Sequence, residues 1–198
     1  MRYLPPAVKN LLIINIIVFI GTELIGDPMY QWFALFPIGS PFFRWWQFVT
    51  HMFMHGNFMH IFFNMWSLIV FGPMLERLWG SKKFLIFYFV CGLGAALCHE
   101  LVLLTQPLSN IPTVGASGAI YGVLMAFAML YPEARMTLLF PPVTLNAKWM
   151  VAIFVVLELT TGIAGTRLGI AHFAHLGGML FGFLLILYWR KKGQLWRR

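Results

Sequence analysis

Six long apolar segments occupy most of this 198-residue chain and leave little room for polar surface. They cover residues 8–25, 52–75, 84–104, 116–131, 148–165 and 171–190, with prolines, glycines and charges between them. A helix of about 20 such residues crosses a bilayer. Because 60% of the residues are hydrophobic and only 10% are charged, a water-soluble fold could not cover such a core. The sequence therefore predicts an all-α membrane protein, a single six-helix bundle over residues 1–198 embedded in a lipid bilayer.

The lysines and arginines indicate how this bundle is oriented. With a cytoplasmic N-terminus and six alternating helices, twelve basic residues fall on the inner side and two on the outer side. The inner residues are Arg2, Lys9, Arg77, Lys82, Lys83, Arg135, Lys148, Arg190, Lys191, Lys192, Arg197 and Arg198, and the outer ones are Arg44 and Arg167. Since cytoplasmic loops carry the excess of basic residues, both termini are expected in the cytoplasm. This topology accounts for the net charge of +8, and no nucleic-acid partner is expected.

Two parts of the chain depart from a simple series of spans. The stretch from residue 26 to residue 50 is a loop rich in aromatic residues, which predicts that it is embedded in the outer membrane interface. The fourth helix, from Ser117 to Tyr131, would be about 22 Å long, against ~30 Å for the hydrocarbon core. With its inner end held by Pro132 and Glu133, its outer end at Ser117 should lie submerged beside water.

Polar residues inside a membrane are costly, so they are the first candidates for function. Ser117 begins the fourth helix, and His175 lies one turn into the sixth, at a comparable depth if both helices run inward from the outside. A serine and a histidine at matched depth can act as a nucleophile and its base. His60 and Asn64 in the second segment are four residues apart and therefore share one helix face.

Pairs of glycines predict that the fourth and sixth helices approach each other closely. Gly118 and Gly122 on the fourth helix have the spacing of Gly178 and Gly182 on the sixth. Small residues four apart allow the backbones of two membrane helices to come into contact. Such a crossing would bring the hydroxyl of Ser117 within reach of a histidine on the sixth helix.

Other membrane-enzyme chemistries lack the residues that they need. A zinc-protease helix requires His-Glu-x-x-His, whereas His99-Glu100 is followed by Leu, Val and Leu. An aspartyl protease requires two aspartates, and Asp27 is the only one in the sequence. A histidine-box metal site would use His51, His55, His60, His172 and His175, without a carboxylate on the same helices. We therefore expect no metal and no cofactor, and we expect His51 and His55 to share a face of the second helix and brace the preceding loop.

Three motifs follow one another on the second, fourth and sixth segments. They are His51-x-x-x-His55-x-x-x-x-His60-x-x-x-Asn64, Gly115-x-Ser117-Gly118 and Ala174-His175-x-x-Gly178-x-x-x-Gly182. Their order and spacing, together with the six-helix topology, resemble the rhomboid intramembrane serine proteases over nearly the whole chain. The resemblance implies a rhomboid-like bundle in a bacterial plasma (inner) membrane, which hydrolyses peptide bonds in or near transmembrane segments of other proteins.

The resemblance also implies roles for individual residues. Ser117 is the expected nucleophile and His175 the general base. His60 and Asn64 are expected side chains of the oxyanion hole, and Tyr121 is expected to stack under the histidine. The supporting glycines are Gly115, Gly118, Gly178 and Gly182. The motif Glu76-Arg77-x-x-Gly80 matches a structural motif of the family, whereas the usual Trp-Arg pair of the interfacial loop is Trp46-Gln47 here.

Two glutamates, Glu100 and Glu158, lie toward the outer ends of the third and fifth helices and are expected at the interface or facing water. Because no carboxylate is near His175 in sequence or depth, a Ser-His dyad is expected, oriented by packing on Tyr121. One alternative is a catalytically silent rhomboid-like protein that binds transmembrane helices, although such relatives lack the serine or the histidine. Another is a small-solute transporter, which would be expected to show an internal repeat. The sequence leaves the oligomeric state open.

A submerged serine requires a route for its substrate. A helix in lipid must unwind before its peptide bonds can be attacked, and freed backbone groups are costly there unless they are satisfied. We therefore expect a wet cavity over Ser117 and sideways entry of the substrate, with the fifth helix as the gate. Phe63 on the second helix and Phe154 on the fifth are expected to meet across that gate.

Overall fold

The computed structural model describes residues 4–107, 110–138, 142–163 and 169–195. Its elements are α1 (Pro6–Ile25), α2 (Asp27–Phe33), α3 (Gln47–Thr50), a 3-10 turn (His51–Phe53), α4 (Phe58–Trp79), α5 (Ser81–Leu103), α6 (Ser117–Leu130), β1 (Arg135–Thr137), β2 (Thr144–Asn146), α7 (Ala147–Ile163) and α8 (Gly169–Lys191). The protein is mostly helical, and each predicted apolar segment corresponds to one of the six longer helices. Residues 164–165, the end of the fifth predicted segment, lie outside the described residues.

Among the described residues, four helices are long and apolar enough to cross a membrane. They are Pro6–Ile25, Phe58–Trp79, Ser81–Leu103 and the part of α8 from His172 to Lys191. Helix α6 is also apolar but has only 14 residues, which corresponds to about 21 Å at 1.5 Å per residue. It is therefore shorter than the ~30 Å hydrocarbon core, as its predicted boundaries indicated.

The second apolar segment becomes helical later than the sequence predicts. Helix α4 begins at Phe58, whereas His51 lies in the 3-10 turn and His55 in the loop that follows it. Asn57 caps α4, because its backbone is extended and its Oδ1 accepts a hydrogen bond from the backbone N–H of His60 at 2.9 Å. The prediction that His51 and His55 share a helix face is therefore wrong, since this cap interrupts the apolar run.

A short antiparallel ribbon lies between α6 and α7, so the all-α prediction is wrong in this detail. Strand β1 pairs with β2, and Met136 lies opposite Leu145. The hydroxyls of Thr137 and Thr144 are hydrogen-bonded across the ribbon at 2.8 Å. The pairing supplies partners for backbone N–H and C=O groups that are outside any helix here.

Gln47 organises the loop between α1 and α4, at the position where the rhomboid resemblance expects an arginine. Its side chain is buried. Its Oε1 accepts hydrogen bonds from the backbone N–H groups of Phe36 at 3.3 Å and Arg44 at 3.0 Å. Its Nε2 donates to the carbonyls of Gln31 at 3.2 Å and Phe42 at 3.0 Å. One neutral amide thus satisfies both donors and acceptors of the loop, which an arginine, a donor only, could not do.

Glu76 joins the start of α1 to the turn between α4 and α5. Its two carboxylate oxygens accept hydrogen bonds from the backbone N–H groups of Ala7 and Val8, each at 2.8 Å. The hydroxyl of Ser81 donates to Oε1 at 2.7 Å. A carboxylate at a helix N-terminus satisfies N–H groups that have no partner within the helix and complements the helix dipole. These contacts are structural, as the motif Glu76-Arg77-x-x-Gly80 suggests.

Helices α6 and α8 cross with their backbones in contact. A Cβ added to Gly178 would lie 1.9 Å from the carbonyl oxygen of Gly118. A Cβ added to Gly122 would lie 3.0 Å from the carbonyl oxygen of Gly178, and one added to Gly182 would lie 3.1 Å from Cα of Gly122. The close approach that the two glycine pairs predict is therefore present, and position 178 has no space for a side chain.

Candidate active site

Ser117 is the first residue of α6, directly after an irregular stretch of backbone. Within that stretch Gly115 has a φ of +132°, a value that favours glycine, and its N–H donates to the carbonyl of His51 at 2.9 Å. A Cβ at Gly115 would lie 2.8 Å from Nε2 of His60 and 3.5 Å from Oγ of Ser117. The missing side chain at position 115 therefore lets the ring of His60 approach the serine.

His175 reaches Ser117 from α8. Nε2 of its ring lies 2.9 Å from Oγ of the serine, a hydrogen-bond distance, although 58 positions separate the two residues. The helix crossing explains the contact, because Gly118 follows the serine directly and Gly178 lies one turn after the histidine. In this arrangement the imidazole can accept the proton of the hydroxyl.

The ring of Tyr121 covers one face of the His175 imidazole. The two ring centroids are 4.3 Å apart and the planes differ by 6°. Tyr121 lies one turn after Ser117 on α6, so one helix provides both the hydroxyl and the stacked ring. The stacking that the rhomboid resemblance implies is thus found in this chain.

The aromatic contact expected across the gate is not present among the described residues. The ring of Phe63, which is 44% exposed, contacts that of Phe62 at 5.4 Å. The ring of Phe154 contacts Tyr121 at 6.3 Å instead. Helix α7 packs against α6 and α8, which explains why Phe154 lies against a residue of α6.

The carboxylate of Glu158, on α7, lies beside His175. Glu158 is only 7% exposed, so the water-facing position expected for it is wrong, while the alternative position at the membrane interface stays a prediction. Its Oε1 accepts a hydrogen bond from the hydroxyl of Tyr121 at 2.5 Å and lies 3.1 Å from Nδ1 of His175. Its Oε2 is hydrogen-bonded to Nδ1 of His172. The prediction that no carboxylate is near His175 is wrong as well, because the packing of α7 against α6 and α8 carries Glu158 inward.

The contacts of Glu158 with the two histidines differ in geometry. Nδ1 of His172 forms a hydrogen bond with Oε2, whereas Nδ1 of His175 forms none with any described residue, although Oε1 is 3.1 Å away. At this distance only the angle excludes a hydrogen bond, so the Nδ1–H direction of His175 is not aligned with Oε1. The contact between Glu158 and His175 is therefore a close electrostatic one. It would become a hydrogen bond if the angle at Nδ1 changed, without any change of distance.

The expected side chains of the oxyanion hole, His60 and Asn64, have different surroundings. Nδ1 of His60 accepts a hydrogen bond from the backbone N–H of Gly56 at 3.4 Å, and its Nε2 faces Gly115. Asn64 is buried one turn later, and its Nδ2 donates to the backbone carbonyl of His60 at 2.8 Å. The structure thus places His60 next to the serine, while the described hydrogen bond of Asn64 stays within α4.

The structure supports a bracing role for the side chain of His51, whereas His55 contacts the loop only through its backbone carbonyl, which accepts a hydrogen bond from the hydroxyl of Tyr30 at 3.4 Å. Nδ1 of His51 lies 2.8 Å from the carbonyl oxygen of Gln47, the first residue of α3. His55 is fully buried, and within the described part of the chain neither of its ring nitrogens has a hydrogen-bond partner. Its ring packs edge-on against that of His60, with centroids 5.1 Å apart, so His55 contributes packing beside the site.

Glu100 and His99 connect α5 to the loop between α1 and α4 and to the loop that precedes α6. Glu100 is 2% exposed, and its Oε2 accepts a hydrogen bond from the backbone N–H of Ile38 at 2.9 Å. The water-facing position expected for Glu100 is therefore wrong, because the loop between α1 and α4 covers it, while the alternative position at the membrane interface stays a prediction. Nε2 of His99 is hydrogen-bonded to the hydroxyl of Thr113 at 2.6 Å, as expected for a structural histidine.

Glu158, His172 and His175 also form a set of possible metal ligands. One ligand atom from each residue lies within 4.8 Å of the others. Two imidazoles and a carboxylate are a donor set that zinc accepts, and α7 supplies the carboxylate beside the two histidines of α8. Oε2 of Glu158 and Nδ1 of His172 satisfy each other directly in the structure. The same three residues could therefore hold a metal or form a hydrogen-bond network.

Known proteins resemble this chain over most of its length. A family model described as Rhomboid domain matches residues 43–192. The chain is 30% identical over 143 residues to the putative rhomboid protease YdcA of Bacillus subtilis, a match that covers 72% of this chain and 66% of that protein. It is 29% identical over 191 residues to the rhomboid protease GlpG of Yersinia enterocolitica, which covers 93% of this chain and 62% of the relative. It is 31% identical over 159 residues to the rhomboid protease AarA of Providencia stuartii, a match that covers 71% of this chain and 54% of that protein.

The chain thus spans between about half and two thirds of the length of these relatives. The family model nevertheless matches well over half of the chain and includes α4, α6 and α8, the helices that carry the three motifs. With several apolar helices of membrane-spanning length, the chain is a multi-pass membrane protein. It belongs to the rhomboid family.

Proposed function

We propose that this rhomboid is an intramembrane serine endopeptidase, which cuts peptide bonds in or near transmembrane segments of other membrane proteins. The proposal depends above all on the 2.9 Å contact between Nε2 of His175 and Oγ of Ser117. The relatives from Yersinia enterocolitica and Providencia stuartii are named rhomboid proteases, which supports the same reaction. A protein that only binds transmembrane helices would need neither residue, so their contact favours an enzyme.

The reaction begins when Nε2 of His175 accepts the hydroxyl proton of Ser117 and Oγ attacks the carbonyl carbon of the scissile bond. The tetrahedral intermediate collapses as the imidazolium gives that proton to the leaving nitrogen and the C–N bond breaks. The new N-terminus leaves as an amine, and the other part remains as an ester of Ser117. Water then loses a proton to His175 and attacks this ester, and the proton returns to Oγ as the carboxylic acid is released.

The negative charge on the carbonyl oxygen would be stabilised by donors at the start of α6. The first N–H groups of a helix have no acceptor within it and lie at the positive end of its dipole, and in α6 they belong to Ser117 and Gly118. His60 is a further donor, because its Nε2 faces Gly115 beside the serine. Asn64 can contribute through the second N–H of its amide, because the hydrogen bond to the carbonyl of His60 uses only one. One such donor typically lowers the barrier by about 3–4 kcal/mol.

We propose six membrane-spanning helices in one domain over residues 1–198, with the interfacial loop and Ser117 on the outer side and both termini in the cytoplasm. Two contacts at the turn between α4 and α5 support this topology. Glu76 binds the start of α1. The indole of Trp79 donates to the carbonyl of Leu195, just after the end of α8, at 3.0 Å. These three ends carry basic residues, which favours the cytoplasmic side, and we propose a bacterial plasma membrane. Outside the described residues lie Arg2, Arg167, Arg197 and Arg198.

The test uses detergent-purified protein and a panel of single-span membrane proteins. Mass spectrometry locates any cut, and a fluorophosphonate probe reports which serine reacts. We expect cleavage by the wild type and labelling at Ser117, and the loss of cleavage in Ser117→Ala and His175→Ala. Because nucleophile and base act as a unit, the double variant should lose no more activity than either single variant.

Melting curves in detergent check that both variants remain folded. Cleavage by Ser117→Ala, or labelling at another serine, would overturn the assignment. Binding of the panel proteins without cleavage or labelling would indicate a catalytically silent relative. EDTA should leave the rate unchanged, whereas inhibition by EDTA that zinc reverses would show that the reaction requires a metal, for which Glu158, His172 and His175 are the candidate ligands.

A further inference from the structure

We propose that Glu158 is a positioning residue for His175, so that the reacting groups form a triad of Ser117, His175 and Glu158 rather than a dyad. The inference rests on the proposed function, because it names the group that orients the base of that same site. The carboxylate comes from α7, a helix that carries none of the motif residues and packs against both α6 and α8.

The burial of Glu158 requires a compensating interaction. The residue is 7% exposed and lies in an apolar helix, where an isolated carboxylate would be costly. Its two oxygens face three polar groups, which are the hydroxyl of Tyr121, Nδ1 of His172 and Nδ1 of His175. This is the arrangement expected of a carboxylate that acts electrostatically on its neighbours.

The position of Glu158 selects the nitrogen of His175 that carries the proton. A neutral imidazole has one N–H, and it can act as a base toward Ser117 only if the lone pair is on Nε2. Oε1 lies 3.1 Å from Nδ1, where it attracts an N–H and would repel a lone pair. The lone pair is therefore left on Nε2, which lies 2.9 Å from Oγ of the serine.

The same carboxylate stabilises the charged form of the base. When Nε2 of His175 takes the proton of Ser117, the ring becomes a cation with an N–H on each nitrogen. Glu158 keeps its negative charge throughout and accepts no proton, so the pair is neutral while the intermediate exists. Because Glu158 is only 7% exposed, this attraction is stronger than it would be between exposed groups in solution. The neutral Nδ1–H form returns when the proton leaves with the amine.

Tyr121 and His172 hold this carboxylate in place. The hydroxyl of Tyr121 donates at 2.5 Å to the same oxygen that faces His175, and its ring stacks on the imidazole. His172 lies three residues before His175 on α8 and binds the other oxygen. Because both oxygens are anchored, Glu158 cannot turn away from His175 without losing two hydrogen bonds.

The first experiment compares Glu158→Gln with the wild type, using a transmembrane substrate and the rate of fluorophosphonate labelling. Glutamine keeps the shape of the side chain, but it has no charge and its NH₂ group can donate to Nδ1, which would move the His175 proton to Nε2. We expect kcat to fall about 10- to 100-fold with KM near the wild-type value, since general base catalysis contributes about 10²–10⁴-fold. Labelling of Ser117 should slow by a similar factor.

Glu100→Gln is the matched control, because Glu100 is another buried carboxylate and its described bond is to the backbone of Ile38. This variant should change the melting temperature and leave kcat of the folded protein unchanged. Wild-type kcat and labelling in Glu158→Gln would overturn the proposal, as would an equal loss of kcat in the control.

A second measurement needs no variant and therefore does not depend on Glu158→Gln being folded. Nitrogen-15 NMR of the wild-type protein in detergent reports the tautomer of neutral His175. The proposal requires the proton on Nδ1, and a proton on Nε2 would contradict it. A wild type that neither cleaves nor labels at Ser117 would overturn the proposed function and this inference together. If the wild type cleaves substrate and labels at Ser117, and Glu158→Gln does so at the same rates, only the role of Glu158 would be overturned.

Discussion

The imidazole of His175 and the phenol ring of Tyr121 lie nearly parallel, with centroids 4.3 Å apart and 6° between the planes. Stacking covers one face of the imidazole and leaves both nitrogens at the ring edge, one toward Ser117 and the other toward Glu158. Tyr121 therefore contributes a ring and, separately, a hydroxyl that donates to Glu158 at 2.5 Å. Two substitutions can separate these contributions.

Tyr121→Phe should keep the stacked ring and lose only the hydrogen bond to Glu158. We expect kcat to fall about fivefold, the factor that corresponds to one hydrogen bond of ~1 kcal/mol. Tyr121→Ala should lower kcat further, by about 100-fold, because the imidazole is then free to turn away from Ser117. Cleavage of a transmembrane substrate measures both effects, and melting curves correct for lost stability. Equal activity of the two variants would show that the ring does not orient His175.

Asn64→Ala should lower kcat more than it changes KM, because an oxyanion donor acts on charge that is present only in the transition state. The expected loss is about 10²–10³-fold in kcat. His60→Ala should act in the same direction and also lower the melting temperature, since its ring packs against that of His55.

Asn15→Ala is the matched control for the asparagine. Asn15 is buried in α1, and its Nδ2 donates to the carbonyl of Leu11, four residues earlier, as that of Asn64 does to His60. It should affect stability and leave kcat unchanged. If the His60→Ala, Asn64→Ala double variant kept wild-type kcat, the oxyanion would be held by backbone N–H groups.

Gly178→Ala should destabilise the protein by at least about 2 kcal/mol, because overpacked contacts that the backbone must relieve carry such costs. The added Cβ would lie 1.9 Å from the carbonyl oxygen of Gly118, so α6 and α8 must separate. Gly21→Ala in α1 is the control, since its Cβ would meet only Met29 Cε at 3.8 Å. That variant should be neutral or slightly stabilised by helix propensity. Melting temperatures and cleavage rates measure both variants, and similar melting temperatures would contradict the backbone contact.

Helices α4 and α7 make no substantial contact in the described part of the chain, because α4 packs on α1, α5 and α6 and α7 packs on α6 and α8. If the substrate enters between them, a bismaleimide linking one cysteine in the first turns of α4 to one in the last turns of α7 should block transmembrane substrates. A short soluble peptide should still be cut. Cys91 and Cys98 are replaced beforehand, and the unlinked double variant is the control. Normal cleavage of transmembrane substrates by the linked protein would place the entry route elsewhere.

Features that depend on spacing within one helix could be predicted from the sequence. The short length of α6 follows from the residues between Ser117 and the polar stretch at Pro132, and one helical turn separates the serine from Tyr121. The prediction for His51 and His55 failed at a helix boundary. Apolar character extends across that boundary, and the cap at Asn57, which sets the start of α4, is a local hydrogen bond that hydropathy does not report.

The length and apolar character of the segments determined that this chain forms membrane helices, because lipid requires nearly every backbone N–H and C=O to be paired within the protein. The glycine pairs likewise determined that α6 and α8 could meet. Only the tertiary structure decided that Glu158 lies beside His175. Tyr121 and His172, its hydrogen-bonding partners, are 37 and 14 positions away on other helices. These residues meet because of how α7 is rotated against α6 and α8. That rotation is set by packing among the three helices, and the spacing of residues along any one helix does not predict it.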